Sequence, residues 1–432
     1  MASTVRIDGF LPVASDVSTT SLVFSRGFAV EYDWVADRAS PSGQPRRLNA
    51  LSFPPPFDSD LEGVLRGRGA FVAFLYLFKD GQYLRLREAT MTPDGPPAAT
   101  APAWGLPADW TSFDAVFNGG GVKSGFAYFF RGDEYCRFDW STDALSPGYP
   151  KKIANEWHTT PPFVRDFDGV IVGQGNFSTK AYLFKTIAST VDRDGNPVAP
   201  GTPGSKVVAA PAYIRYDFNT ESTEGSVTNP IDVVTNWPGL MPLLDTGPAI
   251  DLALTWCDRA LGALAAPGDP ATATALAHHF MTPTPTPTQL ATIAARLTAV
   301  RGRISLIPDR FQWSPGIGFA AQTTAQVLTE IGNQFSTSSG PNGRAAVMIH
   351  EAVHFITVIG DLTVDVPEWS GETVNGTPFG IADPVPGVAI SGIAYHTMTT
   401  DQAISNPGSY ASFVQEIGVP GDTRFGAARP HE

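Results

Sequence analysis

The chain has 432 residues, enough for two to four domains at roughly 100–200 residues each. Apolar residues make up 43% and charged residues 16%, which supplies real cores and excludes a globally disordered chain. The formal charge of −13 disfavours a general nucleic-acid binder or a polybasic membrane anchor, and 42 Gly with 38 Pro favour many short strands over a helical bundle.

The N-terminus, Met-Ala-Ser-Thr-Val-Arg-Ile-Asp, lacks the charged-then-apolar pattern of a secretory signal. The expectation is a cytoplasmic protein, one exported by another route, or one whose signal has been removed. No stretch reaches the ~20 apolar residues of a membrane helix. The two cysteines, Cys136 and Cys257, lie in segments of different character and imply no disulfide framework.

The first 240 residues repeat. Four segments open with an apolar residue, an Asp and a small residue: Ile7-Asp8-Gly9, Phe57-Asp58-Ser59, Phe113-Asp114-Ala115 and Phe167-Asp168-Gly169. The Asp spacings are 50, 56 and 54, a period that marks a propeller or solenoid. A hairpin signal follows each opening: 22–33 around Arg26-Gly27, 75–86 around Asp80-Gly81, and 127–139 around Arg131-Gly132-Asp133-Glu134. The fourth hairpin starts at Ala181 and resumes at Tyr213, with a Gly/Pro-rich insertion at its tip. The third and fourth repeats close on Trp157 and Trp237.

After Trp237 the texture changes. Residues 244–266, 271–279 and 289–300 carry helical spacing, separated in part by the extended run Thr282-Pro283-Thr284-Pro285-Thr286-Pro287-Thr288. The reading is a repeat domain at 1–240 and a mainly helical domain at 241–432. Within the second, 345–359 is an apolar helical run interrupted by His350, Glu351 and His354. In this H-E-x-x-H pattern two histidines four apart share one helix face and both reach one metal, while the glutamate faces a water there as general base. Three polar residues in an apolar helix are costly unless they are used.

The N-terminal segments resemble the hemopexin repeat: a Phe-Asp-Ala opening, a Tyr-Phe-Phe-x-Gly-x-x-Tyr-x-Arg-Phe-Asp hairpin, and a Gly-Tyr-Pro-x-x-Ile-x-x-x-Trp close, best matched at 113–157. The resemblance implies an all-β, four-bladed propeller, with a calcium-type cation in the channel near Asp8, Asp58, Asp114 and Asp168. The reading of the residues themselves favours a structural role for these aspartates, satisfying backbone donors. The family usually ties its first and last blades with a disulfide, and this chain has no cysteine placed to do so.

The C-terminal part resembles the deuterolysin and peptidyl-Lys metalloendopeptidase (aspzincin) group, through His350-Glu351-x-x-His354 and through 401–413, with Asn406, Tyr410 and Phe413 in the family pattern. This implies a zincin-like fold and a zinc endopeptidase. The family's Gly-Thr-x-Asp-x-x-Tyr-Gly element is missing between His354 and Asn406, so the third ligand must come from elsewhere. Glu368 is the first choice and Asp365 the second; His396, Asp361 and Asp383 stay open. Tyr395 is the candidate donor to a developing oxyanion. His278 and His279 read as helix-end cations, and His158 and His431 as surface residues. Two functions follow: a zinc endopeptidase acting on a protein or peptide, compatible with an exported effector or toxin, or a hemopexin-type binding protein with an inactive peptidase domain.

Overall fold

The computed structural model describes the chain except residues 1–5, 14–18, 41–44, 192–200, 204, 225–230, 306–310, 315–320, 325–327, 338–340, 357–372, 375–376, 379–397 and 420–432. The chain forms two compact units, one made of Thr4–Ser189 with Ala209–Leu244, the other mainly of Asp245–Glu432.

The first unit is β-rich. Each repeat begins with a four-residue buried strand: Gly9–Pro12, Gly63–Arg66, Ala115–Asn118 and Gly169–Val172. Each of these pairs antiparallel with the hairpin that follows it. The hairpin strands are Thr20–Ser25 with Phe28–Asp33, Phe74–Lys79 with Gln82–Arg87, Phe126–Arg131 with Glu134–Asp139, and the longer Lys180–Val191 and Lys206–Asp217. Turn chemistry sets their registers. Asp80 and Gly81 have φ of 50° and 71°, the left-handed pair that matches the twist of the flanking strands.

The inner strands lie against one another. Gly9–Pro12 neighbours both Gly63–Arg66 and Gly169–Val172, and Ala115–Asn118 lies between the latter two. The small residue in each opening follows from this approach. A Cβ on Gly63 would stand 2.4 Å from the Val116 Cβ, and one on Gly169 would stand 2.3 Å from the Ile7 carbonyl oxygen. The first and fourth inner strands are also joined by the Ile7 amide, which donates to the Asp168 carbonyl at 2.8 Å.

The strand register corrects the second opening. Asp8, Asp114 and Asp168 each donate their amide to the carbonyl of the facing hairpin strand, at Phe24, Phe130 and Phe184. The residue that does so toward Phe78 is Glu62, not Asp58. Asp58 sits in the turn before the strand. The second repeat therefore opens Leu61-Glu62-Gly63-Val64, and the acids at 8, 62, 114 and 168 are spaced 54, 52 and 54.

The second unit is mainly helical, with a small three-stranded sheet against the helix Pro341–Ile356. Its main helices are Leu240–Leu264 (which begins in the first unit), Pro270–Phe280, Pro287–Ser305, Pro341–Ile356 and Pro407–Gly418. Local signals start two of its helical segments. Asp269 accepts from the Ala271 and Thr272 amides with Pro270 in the first turn, and Thr399 with Gln402 forms a capping box ahead of Thr400–Ile404. The sheet, in the order Phe311–Trp313, Leu328–Ile331, Ala321–Thr324, gave little sign in the sequence. One core includes Trp256, Phe280, Leu297, Val353, Tyr410 and Phe413. Among the described residues no helix is long and apolar enough to cross a membrane.

Candidate metal centre

The motif helix Pro341–Ile356 is buried without a break from Gly343 to Val353, and helices Pro287–Ser305 and Pro407–Gly418 pack against it. His350 is 3% exposed and Glu351 5%. Burial of this degree costs free energy unless the polar atoms meet partners. The 3.6-residue turn brings the two imidazoles together: their Nε2 atoms are 3.0 Å apart and their rings 4.7 Å, at 70°. Two nitrogens this close repel through their lone pairs unless a proton or a cation lies between them. Two ligands about 2.05 Å from one zinc in tetrahedral geometry stand about 3.3 Å apart, so the pair fits such an ion after a small adjustment. Glu351 Oε2 is buried and has no hydrogen-bond partner among the described residues.

The surroundings are apolar and cationic. The Arg303 guanidinium lies 3.8 Å over the Phe355 ring, next to His354, and 5.2 Å from Phe311. Near the start of the motif helix Arg344 approaches the buried Asp245 at 3.8 Å, and Asp245 accepts from Ser336 Oγ at 2.6 Å. A groove of about 740 Å³ runs beside the helix Pro287–Ser305, lined by Thr288, Ala295, Arg296 and Ile356. Ile356 is two residues past His354. The expected third ligand Glu368, the alternatives Asp365, Asp361, Asp383 and His396, and the candidate donor Tyr395 lie outside the described residues. So does His431; His158 is exposed, as expected.

The motif at 401–413 falls on Thr400–Ile404 and Pro407–Gly418. Tyr410 is fully buried and donates to the Ile404 carbonyl at 2.9 Å, a structural use. Sequence reasoning missed a convergence on the same helix. His278 and His279 both meet the Glu416 carboxylate, and its pKa lies below the usual value because the two imidazoles outweigh its burial. Nothing local announces this, since 137 residues separate Glu416 from His279.

In the first unit the opening acids serve the hairpin turns. Asp8 Oδ2 accepts from the Arg26 amide at 2.5 Å, Asp114 Oδ2 from the Gly132 amide at 2.7 Å, and Asp168 Oδ2 from the Thr186 amide. Glu62 faces the amides of Phe113 and Asp80. At the other end of the inner strands a cavity of about 280 Å³ is lined by Pro12, Arg66, Asn118 and Gln174, among others. Arg66 reaches the Pro12 carbonyl at 2.9 Å, Asn118 donates to the Arg66 carbonyl at 2.7 Å, and Gln174 Oε1 is buried with no partner among the described residues.

No curated protein matches the chain. Among solved structures it is similar to the hemopexin fold protein CP4 from cow pea, at 16% identity over 54% of this chain and 96% of that one, TM-score 0.40. It is also similar to LS24, a seed albumin from Lathyrus sativus, at 12% identity over 55% and 97%, TM-score 0.38. A plant lectin with two metal binding sites from Cicer arietinum matches at 16% identity over 55% and 97%, TM-score 0.39. Residues 113–162, which include the third repeat, match the Hemopexin family model.

Proposed function

We propose that this chain is a zinc-dependent endopeptidase, and that its repeat domain is a closed four-bladed hemopexin-type propeller that binds or positions a protein target. The observation that carries the peptidase reading is the convergence of His350 and His354 Nε2 at 3.0 Å, next in sequence to the buried Glu351. Zinc, when bound, would supply a Lewis acid able to polarise the scissile carbonyl and acidify water. His350 and His354 would hold it, with Glu368 as the first candidate for the third position and Asp365, Asp361, Asp383 and His396 behind it. Glu351 takes a proton from the attacking water and returns it to the leaving amine. Tyr395 donates to the carbonyl oxygen as charge builds on it. In the propeller, a calcium-type ion would sit near Asp8, Asp114 and Asp168, with Glu62 in the place first given to Asp58.

Glu351→Gln tests the reading in the full chain. It removes the base and leaves both imidazoles, so zinc content should be unchanged while hydrolysis of a denatured protein substrate falls at least about 100-fold. His350→Ala should lose both. Substrate cut as fast by Glu351→Gln as by the wild type would sink the mechanism. The missing Gly-Thr-x-Asp-x-x-Tyr-Gly element favours the second reading, a hemopexin-type binding protein with an inactive peptidase domain. Zinc bound at His350 and His354 with no hydrolysis of any protein substrate would select it.

A further inference from the structure

We propose a second divalent-cation site, built from His278, His279 and Glu416 and separate in its ligands from the histidine pair of the motif helix. The two histidines end the helix Pro270–Phe280, where the last carbonyls present partial negative charge to a cation. Consecutive helix residues point about 100° apart, so their meeting on one carboxylate is not a by-product of the helix. It is reached by unequal means. His278 uses its near nitrogen, Nδ1, at 3.0 and 3.1 Å from the two Glu416 oxygens. His279 uses its far nitrogen, Nε2, at 2.7 Å from Oε2.

The three donor groups lie within 4.8 Å of one another, the one such group of His, Cys, Asp or Glu among the described residues. Nδ1 of His278 stands almost equally far from both oxygens, so an N–H there is shared between two acceptors rather than aimed at one. A cation seated among the three donors would take the imidazole lone pairs in place of those protons, which metal binding releases. Two imidazole nitrogens and a carboxylate form a donor set that suits zinc, cobalt, nickel or iron(II) rather than calcium or magnesium. His279 is 2% exposed, whereas His278 is 27% exposed, which gives an ion a route in and leaves a position for water. An ion here would tie the helix Pro270–Phe280 to the helix Pro407–Gly418, which carries Glu416 and packs on the motif helix. The inference does not rest on peptidase activity.

The test uses the full chain, stripped with chelator, loaded with zinc and dialysed, with metal measured per chain by mass spectrometry. The His350→Ala, His354→Ala double variant should keep about one equivalent, and adding Glu416→Gln should remove it. Cobalt in place of zinc should give the visible d–d bands of a nitrogen- and oxygen-ligated ion in the double variant, absent after Glu416→Gln. A double variant that retains its fold by circular dichroism and holds no zinc would overturn the proposal. Should that variant not fold, His278→Gln in the otherwise unchanged chain decides: one equivalent fewer than the wild type supports the site, and equal content rejects it. Failure here leaves the Glu351→Gln result standing, because that experiment reads hydrolysis at the other pair.

Discussion

Burial pushes three carboxyls of the β-rich unit up, Asp8 and Asp114 to about 6 and Glu62 to about 7, with the Asp80 charge adding to the effect at Glu62. A carboxyl whose folded pKa is raised binds more protons in the native state between its unfolded and folded values. Its contribution is therefore fully present in acid and is lost as pH rises through the folded pKa. Stability of this unit should fall between about pH 4 and 7, by on the order of 1 kcal/mol per carboxyl once the partial solvent access of Glu62 and Asp114 is allowed for. Glu62→Gln removes one titration, and denaturation midpoints of this unit at pH 5 and pH 8 should then differ less than in the wild type. An unchanged pH slope in Glu62→Gln would reject the assignment. A calcium-type ion bound near these acids should flatten the slope in the same way, through the ionised forms it favours. The identity of Glu62 was hidden in the sequence for a physical reason. Phe57-Asp58-Ser59 has the same local chemistry as the true openings, and only pairing with Phe78 shows that the strand begins four residues later.

Tryptophans pack between successive repeats of this unit. Trp104 packs on Tyr76 of the second repeat and Phe138 of the third, with centroids at 5.2 and 4.7 Å. Trp157 packs on Phe130 of the third and Tyr216 of the fourth, at 4.9 and 4.4 Å. Trp237 packs on Tyr182 of the fourth and Tyr32 of the first, both at 4.9 Å. Beside it the Ala39 amide donates to the Pro238 carbonyl at 2.8 Å. Cys136 is a free, buried thiol in the third repeat, so no disulfide adds to the aromatic wedge and the strand-edge hydrogen bond between the first and fourth repeats. Trp237→Ala should cost about 3–5 kcal/mol, the range for emptying a buried aromatic site. Urea denaturation followed by near-ultraviolet circular dichroism checks this; a loss under about 1 kcal/mol would mean that the wedge does not hold the first and fourth repeats together. These elements were largely legible from sequence, because Arg26-Gly27 and Asp80-Gly81 fix two-residue turns and Trp157 and Trp237 end their repeats. The sheet at 311–331 was not legible, since strands of three and four residues carry too few alternations to stand out.

A chain of 432 residues exceeds what one hydrophobic core serves, and its cores divide accordingly. One cluster runs from Ala249 to Val414, and two others, in the repeats, run from Leu11 to Leu86 and from Leu65 to Trp140. Each side has its own handle. The titrating carboxyls Asp8, Glu62 and Asp114 lie on the repeat side, and both candidate transition-metal sites, His350 with His354 and His278 with His279 and Glu416, lie on the helical side. A ligand that binds only the folded form of one unit stabilises that unit by RT ln(1 + [L]/Kd) and does nothing for a unit with a separate transition. Calorimetry of the zinc-loaded chain should therefore show two transitions. Raising pH from 5 to 8 should lower the repeat transition. Adding 1,10-phenanthroline, which takes zinc and spares calcium, should lower only the other, by several degrees if zinc had been held well above its Kd. A single transition that moves as one under both treatments would mean that the units unfold as one cooperative body, and the assignment of separate cores would fail.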